Sequence, residues 1–498
     1  MSLDDLEKEN TMKKRIVSLL MLCLTNLFVA CNTVATPTDD ILNDETQIEN
    51  SMLEDKPTDI TTITPEQAEN KPTSIPTKVL EKSDEKLSVF SKEAILKETV
   101  MFDENGVKIT ATGLNYTKYS VELELTIENN SEKNLSFISG SMGYSCNSVN
   151  GYMINDGYLN CDVAAGKKAK ATLSFSYDEL ILHGINEIAD IEIGFDISDD
   201  DYNHTYSGPR QVKTSAFDLH DYTKNDYQIA ITNSIVMNTY DYEMNYFSKD
   251  MLYEQNGVQL VSSGIMVKPD GETVLLLELE NTTSNMVYIT TSNIVLNGLF
   301  VNSSTWSSDA VNPGKRGVIQ VDISSVLDLE YWGVYGIKEI GSIALTLGQQ
   351  DEDGNDITDS IPIEIVVPGV KAEYDSSGKE IYNNAGLRIV MKDMLEDSLD
   401  YSKDVYVLLL VENHSGKTLK IDDVYDSLSV NGFMTDYSCY SREIQHGESA
   451  VFKIELWESS LEDNNIAFLS DINEIEVGFE IKAGRDLFDK PMIQILFE

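Results

Sequence analysis

Val121-Glu-Leu-Glu-Leu-Thr-Ile-Glu-Asn-Asn-Ser131 is the stretch whose reading decides the fold, because it returns twice. The copies are Thr273-Val-Leu-Leu-Leu-Glu-Leu-Glu-Asn-Thr-Thr283 and Val405-Tyr-Val-Leu-Leu-Leu-Val-Glu-Asn-His-Ser415. Alternate positions are apolar throughout: Val121, Leu123, Leu125 and Ile127, then Leu275, Leu277 and Leu279, then Val405, Val407, Leu409 and Val411. A period of two belongs to a strand with one face in a core. Each copy closes on Glu-Asn-x-Ser/Thr, a polar turn signal that stops the strand. In the second and third copies the intervening positions are partly apolar as well (Val274, Leu276, Leu408, Leu410), which suits a strand inside a sheet rather than at its edge. The expectation is an all-β chain built from one repeated β domain.

Four further landmarks keep the same order in each copy. A turn leads into a strand at Gly106, Gly257 and Gly386. Asn-Gly pairs follow at Asn150-Gly151, Asn297-Gly298 and Asn431-Gly432, and Asn-Gly is the strongest short hairpin signal because both residues accept positive φ. A third turn stands at Gly166, Gly314 and Gly447, and a fourth landmark is the alternating run Ile188 to Phe195, matched by Ile340 to Leu347 and Ile472 to Phe479. Pro209, Pro362 and Pro491 open the last strand of each copy. Ser176-Tyr-Asp-Glu179, Ser325-Val-Leu-Asp328 and Ser459-Ser-Leu-Glu462 have the capping-box pattern, predicting one short helix per copy. Roughly seven short strands per unit describe an immunoglobulin-like β-sandwich.

The organisation read from these signals is a signal peptide with lipobox over 1–31, a disordered Thr/Pro/acidic linker over 32–91 and an immunoglobulin-like domain over 92–222. An interdomain linker over 223–239 is followed by second and third domains over 240–368 and 369–498. Each copy holds its own set of strand signals, so a fragment of residues 370–498 is expected to fold alone. The balance of 37 Lys+Arg against 84 Asp+Glu, a net charge of −47, excludes nucleic acid and anionic lipid as main partners.

Met12-Lys-Lys-Arg15 supplies the positive start of an export signal, with Met12 read as its first residue, and Ile16 to Ala30 is too short an apolar run to span a bilayer. Leu27-Phe-Val-Ala-Cys31 resembles the lipobox of bacterial lipoproteins, departing from it at Phe28 where Leu is usual; the resemblance implies a lipid on Cys31. The linker that follows holds five of the 11 prolines and buries too little apolar surface to fold. As a flexible chain of about 60 residues it would span on the order of 45 Å. Strand–Glu-Asn-Asn-Ser-Glu-Lys–strand, with Asn312-Pro-Gly-Lys315 before another strand, is similar to the immunoglobulin-like extracellular domains repeated in lipoproteins of Gram-positive bacteria. That resemblance, over residues 92–498, implies a surface location and a β-sandwich and brings no catalytic residues.

Sites are scarce in this sequence. His183, His204, His220, His414 and His446 are scattered without metal-ligand spacing, and each reads as a solvated loop histidine. Asp351-Glu-Asp-Gly-Asn-Asp-Ile-Thr-Asp359 alternates oxygen ligands as calcium prefers, yet Gly354 is misplaced for an EF-hand loop, and an acidic hairpin is the preferred reading. Cys146 and Cys161 flank the first Asn-Gly turn and could meet across it or stay reduced. The tyrosines clustered at Tyr240, Tyr242 and Tyr246 and at Tyr437 and Tyr440 could form adhesive surface or fill strands, the second being preferred. No catalytic, metal or cofactor residue is expected. The function expected is a non-catalytic module on the extracellular face of the membrane, anchored through Cys31, with an extracellular protein or glycan as partner. A solute or glycan receptor, or a cell-wall enzyme with an unrecognised site, is the alternative.

Overall fold

A computed structural model describes residues 90–140, 147–302, 308–327, 329–396 and 403–497. They belong to one compact unit, Lys78–Glu498. The expected signal segment, Cys31 and residues 32–89 of the expected linker lie outside the described residues.

The chain is all-β, with antiparallel sheets packed in sandwich fashion. The decisive stretch is a strand in every copy: Ser120–Asn129, Thr273–Asn281 and Val405–Asn413. One neighbour comes from the preceding landmark (Val107–Tyr116, Val258–Val267, Leu387–Glu396), and the other follows the third turn (Lys167–Ser176, Arg316–Asp322, Ser449–Leu456). The opposing sheet is centred on Leu135–Ser139, Val287–Leu296 and Leu419–Asp423, paired with Asp196–Asp199, Ser342–Gln350 and Glu474–Ala483. Leu123 and Leu125 of one sheet meet Phe137, Val163 and Ile197 of the other in a single core, so the alternation read from sequence is the alternation of burial.

The sheets do not stop at the end of a repeat. The Asn-Gly hairpin strand Tyr152–Ile154 pairs in parallel with the start of Arg316–Asp322, so one nine-stranded sheet joins Asn147–Val149, Tyr152–Ile154, Asp190–Ile193 and Arg210–Lys213 of the first repeat to the first sheet of the second. Leu299–Asn302 does the same to Ser449–Leu456, pairing Leu299 with Ser449 and Phe300 with Ala450 in a ten-stranded sheet. The outer face of each receiving sheet is thereby covered. Val274 and Leu276 belong to the core of the first repeat, and Leu408 and Leu410 to that of the second. This is the physical reason the intervening positions are apolar in copies two and three, while the first copy carries Glu122, Glu124 and Thr126 there. It also argues against a self-sufficient fragment 370–498, whose outer face needs the preceding repeat.

Each Glu-Asn-x-Ser/Thr motif does more than end a strand. Asn129, Asn281 and Asn413 are wholly buried. In each, Nδ2 donates to a carbonyl four residues on (Lys133, Asn285, Lys417; 2.8 Å) and to one on the facing sheet (Val163, Val311, Ile444; 2.7–2.8 Å). Oδ1 accepts from the backbone and hydroxyl of Ser131, Thr283 or Ser415. One side chain thus ties the turn to the opposite sheet.

The Asn-Gly turns repeat this economy. Asn150, Asn297 and Asn431 lie at φ 50–51° with the following glycines at 81–87°. Each Asn Oδ1 accepts two successive backbone N–H groups at the entry to the fourth-landmark strand: Ala189 and Asp190, Gly341 and Ser342, Asn473 and Glu474. At the first landmark Asn105 and Asn256 also take φ 52° and 46°, but the third copy puts Ala385 there at 47°. Left-handed backbone is unfavourable for alanine and tolerated by asparagine. Ala385→Asn is therefore expected to stabilise the fold by about 1 kcal/mol, read as a higher urea midpoint at unchanged slope.

The three predicted helices form, with one cap as expected. Ser176 accepts from Glu179 N at the start of Tyr177–Leu182. Ser459 instead lies inside Glu458–Asp463, whose N-cap Trp457 makes no side-chain cap, and Ser325 lies inside Ile323–Val326. Residues 223–239, read as a linker, hold two short helices, Asp226–Ile231 and Ser234–Thr239.

Candidate functional site

The described residues concentrate their unusual chemistry at the two joints between repeats. At the first, Arg316 N donates to the Gly151 carbonyl (3.0 Å), fixing the parallel register. Arg316 Nη1 donates to the Tyr152 hydroxyl (3.3 Å), and its guanidinium lies 5.9 Å from that ring's centre. Lys315 Nζ meets Glu192 at 2.5 Å, a pair held by well-covered side chains. Glu278 is buried on the outer sheet face and accepts from Asn225 Nδ2 (2.6 Å), Gln228 Nε2 (2.8 Å) and Ser262 Oγ (2.6 Å). A buried carboxylate is tolerable when its lone pairs are met in this way. Asn225 also caps Asp226–Ile231 through Gln228 N (2.9 Å), so the inserted helices are clamped to the second repeat while Tyr227, Ile231, Val236 and Met237 fill the first repeat's core.

The second joint has a different polar set on the same register. The Arg442 guanidinium stands 5.1 Å from the centre of Phe300 and donates to the Val301 carbonyl (3.3 Å); burial lowers its pKa. The Tyr335 hydroxyl, pushed well above the usual phenol range by burial, donates to the Leu409 carbonyl (2.9 Å). Tyr331 meets Tyr406 edge-on at 6.2 Å. Beside this joint opens a cleft of ≈ 610 Å³ lined by Asn293, Val295, Phe300, Thr346, Lys420 and Arg442 among others. Its size is that of a small-ligand site, and its lining mixes an aromatic edge with hydrogen-bonding groups. Lys420 Nζ is already paired with Asp422 at 2.8 Å.

Several sequence candidates have other employment. Asp351 accepts from Asn355 Nδ2, Asn355 N (2.8 Å) and Asp353 N (3.0 Å), bonds that hold its carboxyl below the usual range, and Asp199 closes the matching loop of the first repeat onto Asp201 and Asn203. Both loops spend their lead carboxylate on their own backbone. Among the described residues no group of three or more His, Cys, Asp and Glu side chains could hold a metal. Cys161 and Cys439 carry free thiols, both raised in pKa by burial, and Cys146 lies outside the described residues. His183 is not the solvated loop residue expected: it is buried at the first joint, its ring 5.8 Å from Tyr227 and 6.3 Å from Tyr152. Tyr240 and Tyr242 pack half-buried on the first repeat's core, and the Tyr437 hydroxyl donates to Asp423 (2.6 Å). Among the described residues no helix is long and apolar enough to cross a membrane.

No family model matches the chain, and no curated protein matches it. Among solved structures, a Porphyromonas gingivalis protein of unknown function aligns over 51% of this chain and 99% of its own at 10% identity and a TM-score of 0.14. The exo-chitosanase of Amycolatopsis orientalis aligns over 81% and 79% at 8% identity and 0.16, and the BSP domain of a biofilm associated protein over 83% and 69% at 10% and 0.13. Scores this low carry no functional argument.

The joints were not anticipated from sequence, although their signal was present. It lay in the apolar intervening residues of the second and third copies.

Proposed function

We propose that the chain is a non-catalytic cell-surface lipoprotein, held by lipid on Cys31, whose repeats serve as a braced binding or spacer module. The observation that carries this reading is the continuity of sheet and core across both joints. Repeats that share strands resist bending where independently linked domains would hinge, and resistance to bending is what a spacer above a membrane requires.

Cys31→Ser is expected to move the protein from the membrane fraction to the soluble fraction, since stable anchoring depends on the acyl chains. Membrane retention of that variant, with no lipid on the wild-type cysteine, would count against the anchor. A second reading, capture of a polar ligand such as a glycan, is favoured by the cleft at the second joint. Titration calorimetry with oligosaccharides tests it: heat that vanishes in Lys420→Met supports capture, and no heat from any of them speaks against it.

A further inference from the structure

The first and third repeats each carry one half of the joint that takes no partner repeat among the described residues. In the two internal joints the donor is the strand after the Asn-Gly turn, and the acceptor is the strand after the third turn. In the third repeat the donor is Phe433–Met434, which among the described residues pairs only with Ser429–Val430 and ends its sheet. Phe433 is 57% and Met434 59% exposed, whereas Phe433's counterparts Tyr152 and Leu299 are buried. In the first repeat the acceptor is Lys167–Ser176, an edge whose only strand partner among the described residues is Ser120–Asn129; near its far end Gly157 N donates to the Ser174 carbonyl (3.0 Å).

The two free halves match by the rules of the first joint. Glu280 pairs with Arg316 as Glu128 pairs with Lys168, so Lys168 occupies the place of Arg316 and Lys167 that of Lys315. Ser148 pairs with Glu192 as Ser429 pairs with Glu476, so Glu476 occupies the place of Glu192. We propose that Phe433–Met434 of one chain pairs in parallel with Lys167–Ser176 of a second copy, with Glu476 opposite Lys167 and Phe433 under Lys168. The second copy is the occupant because its free edge supplies both the strand and the pair of cations.

The contact is transient by construction. Where Leu408 and Leu410 seal the second joint, the first repeat offers Glu124 and Thr126, and the third repeat's helix offers Glu462 and Asp463. Two paired residues, one ion pair and one cation–π contact therefore act without an apolar seal. Polar outer faces of this kind bound a repeat array rather than extend it permanently. A dissociation constant on the order of 0.1–1 mM is expected. Head-to-tail contact is heterologous, so it generates rings or open chains rather than closed dimers.

Sedimentation equilibrium on the full chain carrying Cys31→Ser, at about millimolar concentration, tests the proposal. With a net charge of −47, remote repulsion opposes association at very low salt, while high salt weakens the ion pair. The average mass should therefore exceed the 55.6 kDa monomer most at about 0.15 M salt and fall towards it at about 0.01 M and 1 M. Glu476→Lys or Lys167→Glu alone should abolish the excess, and the two together should restore it. A monomer at every salt concentration overturns the proposal. So does association that either single change leaves intact, or that the double change fails to restore.

Discussion

A fragment of residues 370–498 is expected to lack a cooperative thermal transition and to self-associate, although it holds a full set of strand signals. Its outer sheet face carries Val390, Leu408, Leu410 and Val451, all nearly or wholly buried in the core of the second repeat. Each such side chain contributes about 1.5–3 kcal/mol when fully buried, so removing the second repeat forfeits about 6–12 kcal/mol. That is the size of a whole domain's net stability, about 5–15 kcal/mol. The strand Ser449–Leu456 also loses its parallel neighbour and becomes an open edge, the usual template for aggregation. Leu408→Glu with Leu410→Thr copies Glu124 and Thr126 of the first repeat and should restore a soluble monomer with β-type circular dichroism. A wild-type fragment that is monomeric and melts cooperatively at the temperature of the full chain would show that the repeats are independent.

The contrast between Glu124 and Leu408 also shows how far the sequence could be read. Strand identity and order were legible because burial follows a period of two and because Asn-Gly turns leave a fixed chemical trace. The joints were half legible. Apolar residues at intervening positions say that both faces are covered, but not by what, and the middle of a sheet and the seat of a neighbouring repeat produce the same letters. Two of the three capping-box serines, Ser325 and Ser459, misled for a related reason. Ser459 and Ser460 both precede Leu461 closely enough to cap, and only the backbone shows that Trp457 takes the position. Glu278 was hidden because its partners Asn225 and Gln228 lie fifty or more positions upstream, and no local pattern marks a long-range pairing.

The largest effect expected from one isosteric change is at the asparagine that closes each decisive strand. In Asn281→Asp the amide nitrogen that donates to Asn285 O (2.8 Å) and Val311 O (2.7 Å) becomes an oxygen facing two carbonyl oxygens. The residue is wholly buried, so water cannot take over either bond. Each carbonyl left unmet costs about 1–3 kcal/mol, and a charge without a cationic partner adds several more unless it is neutralised by a proton. A loss of about 5 kcal/mol or more is expected at neutral pH. Asn281→Ala removes the same bonds without adding a charge, and should cost about 3 kcal/mol. Thr283→Ala removes only the hydroxyl that donates to Asn281 Oδ1 at 2.7 Å, at the half-buried rim, and should cost about 1 kcal/mol. Urea denaturation of the three variants therefore separates the role of the amide from that of its volume. The order Asp, Ala, Thr283→Ala in decreasing damage is what a keystone between two sheets requires, because only its donors reach the far sheet. If aspartate were tolerated as well as alanine, the site would be wet, and the motif would be a surface turn after all.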